Sequence, residues 1–118
     1  MEKIVRQSLL YDFYGQLLTK HQRTIYEDIV MNDLSYSEIA RDEGISRQGV
    51  YDLIKRCDKA LEEYEDKLHL IEKFLKTKGM VEEIRSEAAL ISQMNEEEVL
   101  QERIDRIVAI SNAILEEC

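Results

Sequence analysis

YSEIARDEGISRQGVYDLIKR, Tyr36 to Arg56, is the stretch that decides the fold. It reads as two short helices joined by a tight turn, the arrangement that lays its second helix in the major groove of DNA. Ile39 and Ala40 belong to the first helix, and Ala40 is small enough for the second to cross close by. Gly44 stands where the turn needs a positive φ, which glycine adopts at least cost. Ile45 is expected to plug the corner, and Ser46 is a good N-cap for the second helix. Val50, Leu53 and Ile54 recur at helical spacing and face a core.

Working outward toward the N-terminus, Ser35 with Glu38 predicts a capping box that opens a helix over Tyr36–Glu43. Leu34 is expected to plug the connection before it, and Asn32–Asp33 to break a preceding helix over Lys20–Met31. That helix buries Ile25, Ile29, Tyr26 and Val30 and starts from a second capping box, Thr19 with Gln22. A first helix is predicted over residues 3–18, with Ile4, Leu9 or Leu10, Phe13, Leu17 and Leu18 as its apolar stripe, widened by Tyr11 and Tyr14. Gly15 inside that pattern marks a close approach. The layout is a trihelical core with one extra helix in front.

Toward the C-terminus the pattern Leu53, Ala60, Leu61, Tyr64, Leu68, Ile71, Leu75 continues to Gly79. It predicts one helix of about thirty residues, or two with a break near Cys57–Lys59. Glu62, Glu63, Glu65 and Asp66 are like-charged neighbours and are expected to need solvent. Gly79, after Lys76 and Lys78, is the expected C-terminal stop. A helix over Met80–Gln93 follows, then a capping box at Asn95 and Glu98. A last helix over Glu96–Glu116 carries a wide stripe of Val99, Leu100, Ile104, Ile107, Val108, Ile110, Ala113, Ile114 and Leu115. Such a stripe needs a cover from residues 60–92 of the same chain, a second copy or a different protein, and a homodimer is the commonest solution.

Composition agrees with an all-α chain: 118 residues with no Pro and four Gly. No run of about 18 apolar residues exists to span a membrane. The first ten residues lack the apolar core and cleavage site of a signal peptide, so a cytoplasmic location without membrane insertion is expected. The formal net charge of -9 is uneven: residues 1–60 hold nine basic and ten acidic side chains, and residues 61–118 hold seven and fifteen. An acidic balance argues against broad sequence-independent nucleic-acid binding, which depends on Lys and Arg neutralising phosphates. It leaves room for a local basic face, and residues 47–59 carry a net +2.

Nothing resembles a catalytic set, a metal centre or a cofactor motif. Cys57 and Cys118 make no disulfide or metal framework. Cys57 follows Lys55–Arg56, a setting that can lower a thiol pKa, although a small buried residue is the plainer reading. His21 and His69 lie on different helices with no carboxylate or cysteine that spacing alone brings near them. The C-terminal carboxylates lack calcium-loop spacing.

The residues expected to contact nucleic acid are Ser46, Arg47, Gln48, Tyr51, Lys55, Arg56 and Lys59. Arg47 can bond a guanine edge and Gln48 an adenine edge. Tyr51 suits a phosphate or a thymine methyl. Lys55, Arg56 and Lys59 suit backbone phosphates and set register. Ser46 and the free N–H groups of the first turn suit another phosphate. Tyr36, Ser37 and Arg41 are placed to touch the backbone from the preceding helix. Asp52 repels phosphate or accepts from cytosine.

The run LLTKHQRTIYEDIVMNDLSYSEIARDEGISRQGVYDLIKR at 17–56, with LEEYEDKLHL at 61–70 and YDFYGQLLT at 11–19, resembles the YlxM-like family of small bacterial helix-turn-helix proteins. The resemblance covers roughly the first 80 residues. It implies a chain encoded beside the genes for the signal recognition particle GTPase and its receptor, with a role in or over that targeting pathway and no enzymatic activity. The same region is similar to the promoter-reading domain 4 of sigma factors. That pattern is carried by Leu18, Thr19, Gln22, Ser35, Glu38, Ile39, Ala40, Gly44, Ser46, Val50 and Ala60–Leu61. An acidic helical tail, and no polymerase-binding domain upstream, set the chain apart from a promoter-selecting sigma factor.

The sequence therefore predicts a sigma-domain-4-like helix-turn-helix domain at 1–60 and an acidic helical extension at 61–118 for dimerisation or partner binding. The expected function is non-catalytic nucleic-acid-binding regulation, with DNA ahead of RNA as target. Two alternatives stand beside it: binding to the signal recognition particle RNA, and a protein adaptor that binds no nucleic acid.

Overall fold

The computed structural model describes residues 1–93 and 97–117. Six α-helices follow in order: α1 Lys3–Tyr14, α2 Lys20–Tyr26, α3 Tyr36–Glu43, α4 Arg47–Leu68, α5 Leu70–Ile91 and α6 Glu97–Glu117. No strand occurs among the described residues. The chain forms two compact units, Met1–Ile71 and the segment from Glu72 onward.

In the first unit, local capping places the short helices as the sequence predicts. The Thr19 hydroxyl accepts from the Gln22 backbone N–H, and the Gln22 side chain accepts from the Thr19 N–H, a reciprocal box. The Ser35 hydroxyl accepts from the Glu38 N–H at 3.1 Å, but its own proton, rather than its backbone N–H, goes to the Glu38 carboxylate. Gly44 ends α3 at φ 68°, and the Ser46 hydroxyl caps α4 by accepting from Gly49 N–H at 2.9 Å.

The core is built from one side chain or two per helical turn. Leu10, Tyr14, Leu18, Ile25, Tyr26, Val30, Ile39 and Ala40 pack with Val50, Ile54, Cys57 and Leu61 of α4 and with Ile71. The spacing 50, 54, 57, 61 is one stripe of a 3.6-residue helix. Each fully buried side chain of this size contributes about 1.5–3 kcal/mol.

Several expectations are corrected. The first helix does not run to residue 18: α1 ends at Tyr14 and a 3-10 turn, Gly15–Leu17, follows. Gly15 closes against its own helix, since a Cβ there would stand 2.8 Å from the Tyr11 ring. Ile4 and Leu17 are about half exposed, so the stripe runs through Leu10, Tyr14 and Leu18 instead. The helix after Thr19 widens into a π turn over Glu27–Met31 and stops at Asp33, which takes φ 56°. Ile45 is 42% exposed and does not fill the corner. His21 does find a carboxylate, with its Nε2 3.0 Å from Glu43 Oε2 at the end of α3.

The long C-terminal helix breaks neither at Cys57–Lys59 nor at Gly79. It breaks at His69, a non-glycine residue at φ 56°, and Gly79 lies inside α5, so Lys76 and Lys78 are not in a last turn. Three side-chain bonds, two of them long-range, secure the break. The buried Glu65 carboxylate accepts from the Tyr14 hydroxyl and from the Ile71 N–H at 2.9 Å. The Tyr14 hydroxyl oxygen accepts from the Leu70 N–H at 3.2 Å. Glu65 is therefore a buried cap for α5, not the solvated carboxylate expected of it. Its neighbour Glu62 is half-buried and takes a bidentate pair from Arg6 at 2.9 and 3.0 Å.

In the second unit, Glu87 of α5 is buried, accepts from Arg103 at 3.1 Å and forms an ion pair with Arg106 at 3.3 Å, both on α6. No apolar side chain described beyond Ile71 is fully buried, and Val81, Leu90, Ile104, Val108 and Leu115 are exposed. The expected capping box at Asn95, and Cys118, lie outside the described residues.

Candidate nucleic-acid interface

The opening turns of α4 carry the candidate surface. Because Val50, Ile54 and Cys57 are drawn into the core, residues between them on the helical wheel must face out. At about 100° per residue, Arg47, Tyr51, Lys55, Gln48 and Lys59 fall within roughly one third of the helix circumference, and Arg56 lies about 60° beyond that arc. All six are exposed. The structure thus brings Arg47, Gln48, Tyr51, Lys55 and Lys59 onto one face and leaves Arg56 on its flank. Ser46 heads the same helix, its hydroxyl oxygen occupied by the Gly49 N–H.

Three contacts organise this face. Lys55 Nζ stands 5.3 Å over the Tyr51 ring, a cation–π contact that holds both side chains along the helix. Tyr51 meets Tyr36 of α3 edge to face, with centroids 6.1 Å apart. The Gln48 amide donates to the Asp52 carboxylate at 2.9 Å. That bond occupies one of the two amide hydrogens of Gln48.

Behind the face, acidic side chains are tied up. Asp58 accepts from the Tyr26 hydroxyl at 2.7 Å and from the Gln7 amide at 3.0 Å. Burial, then the bond to Asp58, drives the Tyr26 phenol far above its usual range. Burial also pushes the Cys57 thiol up to about 11, so the adjacent basic pair does not activate it. Cys57 is a core residue.

One cation escaped the sequence reading. Lys3 of α1 lines the same hollow of about 280 Å³ as Lys55 and Tyr36. No signal in the helix-turn-helix pattern points to it, because it lies 52 residues before Lys55 and reaches the face only through packing of α1 on α4. Among the described residues there is no group of three or more His, Cys, Asp or Glu arranged to hold a metal ion. No described helix is long and apolar enough to cross a membrane.

Comparison with known proteins agrees with this architecture. A family described as "Putative helix-turn-helix protein, YlxM / p13 like" matches residues 1–103. A UPF0122 protein of Bacillus mycoides is 43% identical over 108 residues, covering 92% of this chain and 93% of its own. One from Acetivibrio thermocellus is 45% identical over 115 residues, covering 92% and 98%. A third, from Bacillus thuringiensis, is 44% identical over 108 residues, covering 92% and 93%. With a match over most of its length and relatives of nearly its own size, the chain belongs to the YlxM / p13-like family of helix-turn-helix proteins.

Proposed function

We propose that this protein is a non-catalytic regulator that docks α4 into the major groove of DNA, in the manner of sigma factor domain 4. The observation that carries the reading is the exposed set Arg47, Gln48, Tyr51 and Lys55 on one face of a capped helix whose other face is core. Arg47 and Gln48 at the front read base edges. Lys55 lies eight residues on, about 12 Å along the axis. That separation exceeds the roughly 8.5 Å depth of the groove, so a helix tip at the bases leaves Lys55 at the backbone. Lys59 and Arg56 add phosphate contacts and Ser46 heads the turn nearest the groove floor. Regulation of, or participation in, the signal recognition particle pathway is the biological setting we assign to this activity.

The second unit is proposed to pair with a second copy of the chain. The supporting observation is the second unit's helical surface, which carries exposed Ile104, Val108 and Leu115 and, among the described residues beyond Ile71, no fully buried apolar side chain. Dimerisation would present two α4 helices to one duplex.

The test is a titration of the purified protein at fixed moderate salt against pooled genomic DNA fragments and, in parallel, against signal recognition particle RNA. Selective retention of particular DNA fragments is expected. Arg47→Ala/Gln48→Ala should abolish the selection, each lost base contact costing about 1–3 kcal/mol. Tight RNA binding without DNA selection overturns the DNA reading in favour of the RNA one. Silence on both leaves the protein adaptor.

A further inference from the structure

The hollow beside Tyr36 brings together two lysines from elements far apart in sequence. Lys3 stands in the first turn of α1 and Lys55 in the third turn of α4, and both side chains line it. Asp58 also lines the hollow, but its carboxylate is engaged by Tyr26 and Gln7. The Lys55 side chain is held in place by the Tyr51 ring beneath its amine. The first turn of α1 adds free N–H groups, since Glu2 makes no side-chain cap.

We infer that Lys3 and Lys55 together bracket one backbone phosphodiester of duplex DNA, making α1 a further contact element of the interface. This rests on the proposed docking of α4 into the major groove and extends it to a helix outside the helix-turn-helix. Two cations converging from separate helices fix a phosphate from two sides, and so fix the tilt of α4 in the groove as well as its depth. Lys3 acts on affinity and register and not on base choice.

The experiment compares the salt dependence of duplex binding for the full chain, Lys3→Gln, Lys55→Gln, the double variant, and Lys67→Gln as a control. Lys67 is exposed and twelve residues, about 18 Å, beyond Lys55 on α4. Lys3→Gln is expected to lower affinity about three- to ten-fold near 0.1 M salt and to reduce the slope of log K against log salt by about 0.9. The ranking of DNA sequences should stay unchanged, and Lys67→Gln should match the parent. Circular dichroism melts identify any variant that fails to fold, and Lys3→Arg, which keeps the charge, should restore the slope. If Arg47→Ala/Gln48→Ala loses selection while Lys3→Gln keeps the parental slope, this inference is overturned and the docking reading stands. If the parent chain binds no duplex, both fall.

Discussion

The Tyr14 hydroxyl donates a 2.5 Å hydrogen bond to the buried Glu65 carboxylate, joining α1 to the end of α4 across 51 residues of sequence. The same two side chains receive the Leu70 and Ile71 N–H groups, so they begin α5 as well. A helix start normally relies on a cap from its own chain neighbourhood; this one relies on a different helix.

Tyr14→Phe should therefore destabilise the first unit. It leaves the Leu70 N–H without its acceptor and the Glu65 carboxylate with one donor fewer. A loss of about 1–3 kcal/mol is expected, read as a lower urea midpoint by circular dichroism. An unchanged midpoint would show that the clasp contributes nothing.

Gly15→Ala should cost about 1–3 kcal/mol through overpacking. The new Cβ would stand 2.8 Å from a Tyr11 ring carbon. That ring cannot simply swing away, because it stacks on Tyr26 at 5.6 Å and its hydroxyl bonds Glu27. Restored stability in Gly15→Ala/Tyr11→Leu would confirm the clash as the cause.

Two left-handed residues predict different outcomes. Gly44→Ala places a Cβ in open space, so only the φ of 68° penalises it, by about 1 kcal/mol. Asp33→Gly relieves a φ of 56° and should be neutral or stabilising by up to about 1 kcal/mol. The thermal midpoint should fall for Gly44→Ala and hold or rise for Asp33→Gly.

Stability should fall at both ends of the pH scale, for different groups. The Tyr11 phenol is raised to about 12 by burial and by Glu27, and burial with Glu65 raises Tyr14. A raised phenol favours the folded state below its unfolded value of about 10, and that contribution is lost as pH climbs from about 10 to about 12. At the acid end, the bond from Arg6 holds Glu62 below the usual carboxylate range. Its contribution is present above the unfolded value of about 4.3 and is lost as pH falls through the folded one. Arg6→Ala should cost no more than about 1 kcal/mol at neutral pH and narrow the acid limb of a pH–stability curve.

Cys57 should resist thiol reagents in the native state at pH 8, since burial holds its thiol near 11. In a Cys118→Ser background, labelling should track unfolding by urea. Fast native labelling would contradict the buried position.

Much of the first unit was legible because its signals are short-range. Thr19, Ser35, Gly44 and Ser46 each act within about four residues, and all four take their expected backbone roles. The face of α4 was legible for the same reason, since core spacing at Val50 and Ile54 fixes which residues point outward. Lys3 was not legible, because no periodicity links α1 to the rim of a hollow on α4. The Gln48–Asp52 bond sits at ordinary helical spacing, and sequence gives no way to choose it over Gln48 free in solvent.

By itself, then, the sequence determined the helical class, the caps, the turn at Gly44 and the side of α4 that faces out. Each of these follows from the preferences of a few adjacent residues. Tertiary structure alone decided where the long C-terminal pattern breaks. Gly79 had the better propensity for a stop, yet the chain turns at His69, because Tyr14 and Glu65 stand ready to receive the Leu70 and Ile71 N–H groups. An unpaired backbone donor away from water costs about as much as the strain of one left-handed residue, roughly 1–3 kcal/mol, so two N–H groups satisfied outweigh one strained His69, and only the folded packing supplies those acceptors.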